Sequence, residues 1–152
     1  MLAEASRAAA FSIGFSTKAY FSHATVLKCL RVTLSLPQSP SVLAFLVPSH
    51  PSIAEAARIA SGSLLIGAQN VSVHMPGPHT GEVTAELLRE VGADFVELGH
   101  AEHRATGDSD QIIARKVDQA ISQGLDVLLC VGESSPVSPG EAAKYCVEQI
   151  RA

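Results

Sequence analysis

The sequence predicts an α/β protein built on a parallel sheet, with five strand–helix units in succession. Three observations carry this. Apolar runs and segments of helical period alternate five times along the 152 residues. The apolar runs are continuous rather than alternating, the pattern of strands buried on both faces. Polar groups recur at the carboxyl ends of those runs, where such sheets place their function. The length suits one domain covering residues 1–152, with 1–10 read as a flexible start.

The first strand is read at 11–16, "FSIGFS". Residues 22–34 follow as a helix, with Leu27, Leu30 and Leu34 at helical spacing and Ser22 as its N-cap. The prolines and serines of "SLPQSPS" make a loop. A second apolar run, 42–48, leads to a short helix at 51–60 with a proline in its first turn. The third run, 63–70, opens into "VSVHMPGPHTG", a long loop by its two prolines and two glycines. Residues 82–92 read as a helix closed by Gly92, and 94–100 as the fourth strand. The clearest helix is 108–124, where Ile113, Val117, Ala120 and Ile121 share one face and Gly124 sits past the end. The fifth strand spans 126–133, and a helix from 138 runs to 152. Two architectures fit this order: an open doubly wound sheet, or part of a (β/α)8 barrel.

Composition narrows the function. The chain is 47% hydrophobic and 17% charged, with a net charge of -4. Its isoelectric point is near 5.8 and its basic residues are scattered, so neither nucleic acid nor an anionic membrane is an expected partner. No apolar run is long enough to span a bilayer. The first fifteen residues lack the basic start and long apolar block of a secretory leader. Cys29, Cys130 and Cys146 have no CxxC spacing, so they read as buried, reduced thiols of a cytosolic protein.

The strand ends carry Ser16-Thr17-Lys18, Pro48-Ser49-His50, Gln69-Asn70, His100-Ala101-Glu102 and Gly132-Glu133. Each has an ordinary reading: a solvated lysine, turn amides, a hydrogen-bonded histidine, a first-turn carboxylate. Gathered at one rim, they read as a site. His100 and His103 lie three apart, but no carboxylate or cysteine pattern completes a metal set. Neither a Rossmann glycine fingerprint nor a Walker loop is present, which weakens the open-sheet alternative.

Four stretches, in order, resemble the triosephosphate isomerase family. "ELGHAEHR" resembles its histidine motif, "GAQN…HTGEVT" its third βα loop, "LLCVGES" its fifth strand, and "SIGFSTKAY" its first strand and lysine loop. The resemblance runs from about residue 11 to the end, and it implies a (β/α)8 barrel, incomplete at about five units. It implies interconversion of dihydroxyacetone phosphate and glyceraldehyde 3-phosphate through an enediol, in glycolysis, gluconeogenesis and glycerol catabolism. No metal or cofactor is implied; a cytoplasmic homodimer is. That chemistry needs a base, an electrophile for the carbonyl, and cations for the anionic groups. The family is itself a known example of a neutral histidine electrophile beside a glutamate base.

By resemblance His100 is the electrophile, Lys18 supplies positive charge at the substrate, and Glu102 supports or relays a proton. Thr80 lies in the loop that reaches the partner subunit. Gln69, Asn70, Cys130 and Arg104 are supporting residues. Ser16 stands where the family usually has Asn, so its substrate contact differs. His103 stands within a usual "ERR", and Asp108 replaces a usual Glu, which weakens the expected Arg–carboxylate pair. A whole barrel runs to about 250 residues. The expectation is therefore a domain truncated after its fifth unit, without the glutamate base, the lid and the amides that grip phosphate. Two alternatives stand beside it: a non-catalytic barrel fragment or interaction module, and an isomerase of another small sugar phosphate such as a tetrulose phosphate.

Overall fold

The computed structural model describes residues 9–37 and 39–152. The expectation of a flexible start falls on residues that, up to position 8, lie outside the described ones. Ala10 is already tied in, its N–H donating to Ser41 O at 2.8 Å.

Five parallel strands, β1 (Phe11–Ser16), β2 (Val42–Val47), β3 (Leu65–Ala68), β4 (Phe95–Leu98) and β5 (Asp126–Leu129), pair strictly in chain order. That order decides between the two architectures. A doubly wound sheet reverses its strand order at a switch point; a barrel adds each strand beside the last. Successive right-handed crossovers then put every helix on one face.

The two faces are visible in the packing. The outer cluster joins Leu46, Ile66, Ala68, Val96 and Leu98 of the strands to residues of helices α1 (His23–Ser35), α2 (Ile53–Ala60) and α3 (Ala85–Glu90). Ile113 and Ala120, on the later helix spanning Asp110–Ser122, belong to the same cluster. The inner cluster holds strand residues of the opposite parity: Val47 and Phe95, with Leu43, Phe45, Leu65 and Leu128. Side chains alternate across a strand, so the parity of each residue fixes the face it serves.

Two glycines make room for this inner layer. Gly14 lies opposite Phe45 and Gly67 opposite Phe95 in the parallel register. A Cβ on either would overlap the facing ring. The two rings meet edge to face at 5.4 Å. Phe95 is fully buried and has nowhere to move. Gly67→Ala is expected to destabilise by about 1–3 kcal/mol through overpacking, read from the urea midpoint.

Caps set most helix starts. Ser22 Oγ accepts from Thr25 N at 3.2 Å, as expected. The third helix begins later than 82, because Thr84 Oγ1 caps it from Leu87 N. A 3-10 turn, His50–Ser52, precedes α2. A short helix, α4 (Ala101–Ala105), separates β4 from α5 (Asp110–Ser122). Ser109 caps α5, accepting from Ile112 N. On α5 the buried face is Ile113, Lys116 and Ala120; Ile121, expected inside, is 61% exposed. The final helix, α6 (Pro139–Arg151), starts with a full capping box between Ser138 and Glu141 and buries none of its residues. On the outer parity of β1, Phe11 and Ile13 are 68% and 62% exposed.

The cysteines are free but half-buried rather than buried. Cys29 lies off the Val26–Leu27–Leu30 row of α1, and Cys146 is on α6.

Candidate functional site

The carboxyl ends of β1, β3 and β4 converge on a cleft of about 170 Å³. It is lined by Ser16, Lys18, Gln69, Glu97, His100 and Glu102, with Ala19 and His103 at its margin. Ser16 and Glu97 enter it by inner-face parity. The others come from the turns that follow each strand.

Lys18 holds a left-handed backbone, φ 46°, which a residue with a Cβ adopts at a cost. Gln69 supports that turn. Its Nε2 hydrogens are shared among Val47 O at 3.1 Å, Lys18 O at 3.2 Å and Thr17 Oγ1 at 3.4 Å. The side-chain amide thus joins β2, β3 and the lysine turn at one point.

Gly99 permits the turn from β4 into α4. Its φ is 75°, and a Cβ there would lie 2.6 Å from Cys130 O. The next residue, His100, is the N-cap of α4, its Nδ1 accepting from the Glu102 N–H at 3.1 Å. A backbone N–H can only donate, so Nδ1 carries a lone pair and the ring proton sits on Nε2. The Glu102 carboxylate also lies 3.6 Å from Nδ1, too far for a hydrogen bond to compete with that assignment.

Glu102 turns its other oxygen to Lys18, Oε1 to Nζ at 2.7 Å. The hydrogen bond to Lys18 holds the Glu102 carboxyl below the usual carboxylate range, and the same bond raises Lys18. The pair's contribution is therefore complete at neutral pH. It fades as pH falls through the lowered value of Glu102, and as pH rises through the raised value of Lys18. Both groups reach solvent, which screens them. Replacing Lys18 by methionine is expected to return Glu102 upward into the ordinary range, read by NMR titration of its side-chain carboxyl carbon.

The remaining expected residues lie outside the lining of this cleft. Asn70 Oδ1 accepts from Lys116 Nζ at 2.9 Å, and its backbone carbonyl is 2.9 Å from His50 Nε2. Arg104 braces the turn through Nε to Gly99 O at 2.8 Å. Its carboxylate partner is Asp110, not Asp108. Asp108 instead takes Lys116 Nζ at 2.6 Å, a pair with side chains only 16% and 8% exposed. The expected weakening through Asp108 is thus corrected: the carboxylate two residues later reaches the guanidinium. Cys130 lines a neighbouring cleft with Arg104 and Glu133, and burial, then Glu97, push its thiol up. Thr80 is exposed on the β3–α3 loop, away from the cleft lining.

Glu97 is the cleft residue that the sequence reading passed over. Its signal was there: the one charged residue in the run "DFVELG" after Asp94, on the same parity as Phe95.

A parallel sheet in sequential order, with a polar site at the carboxyl ends of its strands, defines the class of (β/α)8-barrel proteins, here an incomplete barrel of five units. The triosephosphate isomerase family profile matches residues 11–152. A triosephosphate isomerase of Azoarcus sp. strain BH72 is 46% identical over 87 residues, 56% of this chain and 36% of that protein. Those of Salmonella paratyphi B and Salmonella newport are 38% identical over 110 residues, 70% of this chain and 43% of theirs. The chain belongs to the triosephosphate isomerase family. It spans about two-fifths of the length of the curated relatives it matches.

Proposed function

We propose that the cleft is the substrate-polarising half of an isomerase site that interconverts dihydroxyacetone phosphate and glyceraldehyde 3-phosphate through an enediol. The observation that carries this reading is the His100–Glu102 backbone hydrogen bond, which leaves a neutral imidazole with its proton on Nε2. That N–H polarises the substrate carbonyl, and Lys18 adds positive charge beside the developing oxyanion. Ser16 takes the place of a substrate-contacting amide.

Glu102 suits a supporting role better than that of base. A carboxyl lowered by a lysine bond is a weak proton acceptor. The proton-abstracting group then comes from outside this set. Two other readings stand beside it: a non-catalytic module, and an isomerase of a tetrulose phosphate. The family suggests a homodimer, with Thr80 reaching the partner, and a cytoplasmic place in glycolysis, gluconeogenesis and glycerol catabolism. Among the described residues, no helix is long and apolar enough to cross a membrane.

The test is infrared spectroscopy of carbonyl-labelled dihydroxyacetone phosphate bound to the 152-residue chain, prepared from a host lacking its own isomerase. The expected result is a lowered carbonyl stretch in the wild type and none in His100→Ala, with turnover at background. An unshifted carbonyl in the wild type contradicts the reading and favours the non-catalytic module. Turnover above background that vanishes in Glu102→Gln would make Glu102 the base after all.

A further inference from the structure

The cleft holds a second carboxylate that the polarising chemistry does not use. Glu97 points to the inner face, two residues after Phe95, and lines the cleft beside Lys18 and His100. Among the described residues its oxygens have distant partners: Ser16 Oγ is 3.5 Å from Oε2, and Cys130 Sγ is 4.0 Å from Oε1. Both lie at the outer edge of hydrogen bonding. A carboxylate offers about four acceptor positions, so most of Glu97's capacity is unspent among the described residues. Glu97 is half-buried in a cleft open to solvent, so its free acceptor positions are available to a bound molecule that displaces water from them.

Charge decides what that molecule presents. Lys18 is the cleft's lysine, and Glu102 already holds it at 2.7 Å. Against it stand two carboxylates. A phosphate beside Glu97 would meet an anion at short range; a hydroxyl would meet an acceptor.

We propose that Glu97 is a specificity-determining ligand contact that accepts a hydrogen bond from a hydroxyl of the substrate's hydroxyketone head. It turns that head inward and the phosphate outward. Ser16, at its side, offers a second hydroxyl-binding group. The ligand class is an α-hydroxyketone phosphate, a choice that rests on the isomerase reading; the hydroxyl selectivity rests on Glu97 alone.

The experiment titrates the 152-residue chain, by amide NMR shifts, with dihydroxyacetone phosphate and with acetonyl phosphate, which lacks only the hydroxyl. The wild type is expected to bind the hydroxylated ligand roughly tenfold or more tightly, the size of a hydrogen bond to a charged acceptor. Glu97→Gln, of equal size, is expected to keep a fraction of that preference, and Glu97→Leu to abolish it. Equal affinities in the wild type, a preference that survives Glu97→Leu with its fold intact, an unchanged preference in Glu97→Gln where the leucine variant does not fold, or saturable binding of neither ligand would each overturn the proposal. A Glu97-dependent preference without carbonyl polarisation keeps this inference and removes the isomerase reading. Polarisation without the preference does the reverse.

Discussion

Asp108→Ala is expected to cost the protein about 3 kcal/mol, near the lower end of what breaking a buried ion pair does. The reason lies in Lys116. Its ammonium is held at 2.6 Å by Asp108 and at 2.9 Å by Asn70, on a helix face that otherwise buries Ile113 and Ala120. Without Asp108 the charge keeps only a neutral amide oxygen. The loss also reaches the site. Asn70 follows Gln69, whose amide fixes the Lys18 turn, so the variant is expected to broaden the Lys18 and Glu102 NMR signals as well as lower the urea midpoint. The double variant Asp108→Leu/Lys116→Met is expected to recover most of the stability, because it removes both charges together. A single variant of wild-type stability would show that the pair contributes nothing.

Phe95→Ala is expected to cost about 3–5 kcal/mol, the range for a truncated core phenylalanine. The ring is fully buried, sits over Gly67, and meets Phe45 edge to face. Its backbone neighbours in β3 and β5 cannot close the space without breaking register. Paired with Gly67→Ala, the two changes are expected to be less than additive, since the new methyl fills part of the cavity. Chemical denaturation of the two single variants and the double measures the coupling; strict additivity would mean that the ring and the glycine do not share that space.

The strand–helix order was legible because buried parallel strands are continuous apolar runs, and "VLAFLV" and "DVLL" are short runs bounded by Pro or Gly. Their carboxyl ends then named the rim, and the structure brings Ser16, Lys18, Gln69, His100 and Glu102 to one cleft. What stayed hidden depends on register or on length. Gly14 and Gly67 serve rings on other strands, which no single strand can announce. The helix "AEHRA" is too short to show an apolar period. The helical row of apolar residues on α5 did not include Lys116, yet its side chain lies inside and Ile121 takes the exposed position. For Arg104 the family pattern pointed to Asp108, but Asp110 takes the guanidinium while Asp108 holds Lys116, a swap that depends on the fold of α4 and α5 rather than on spacing.

The most direct test of the site is the tautomer of His100, read from the long-range nitrogen–proton NMR spectrum of the ring at neutral pH. The expected pattern is a protonated Nε2 and a bare Nδ1, with His100 distinguished from the other histidines by its loss in His100→Gln. A proton on Nδ1, or on both nitrogens, would mean that Nδ1 does not accept from the Glu102 amide, and the neutral electrophile on which the proposed chemistry depends would not be formed.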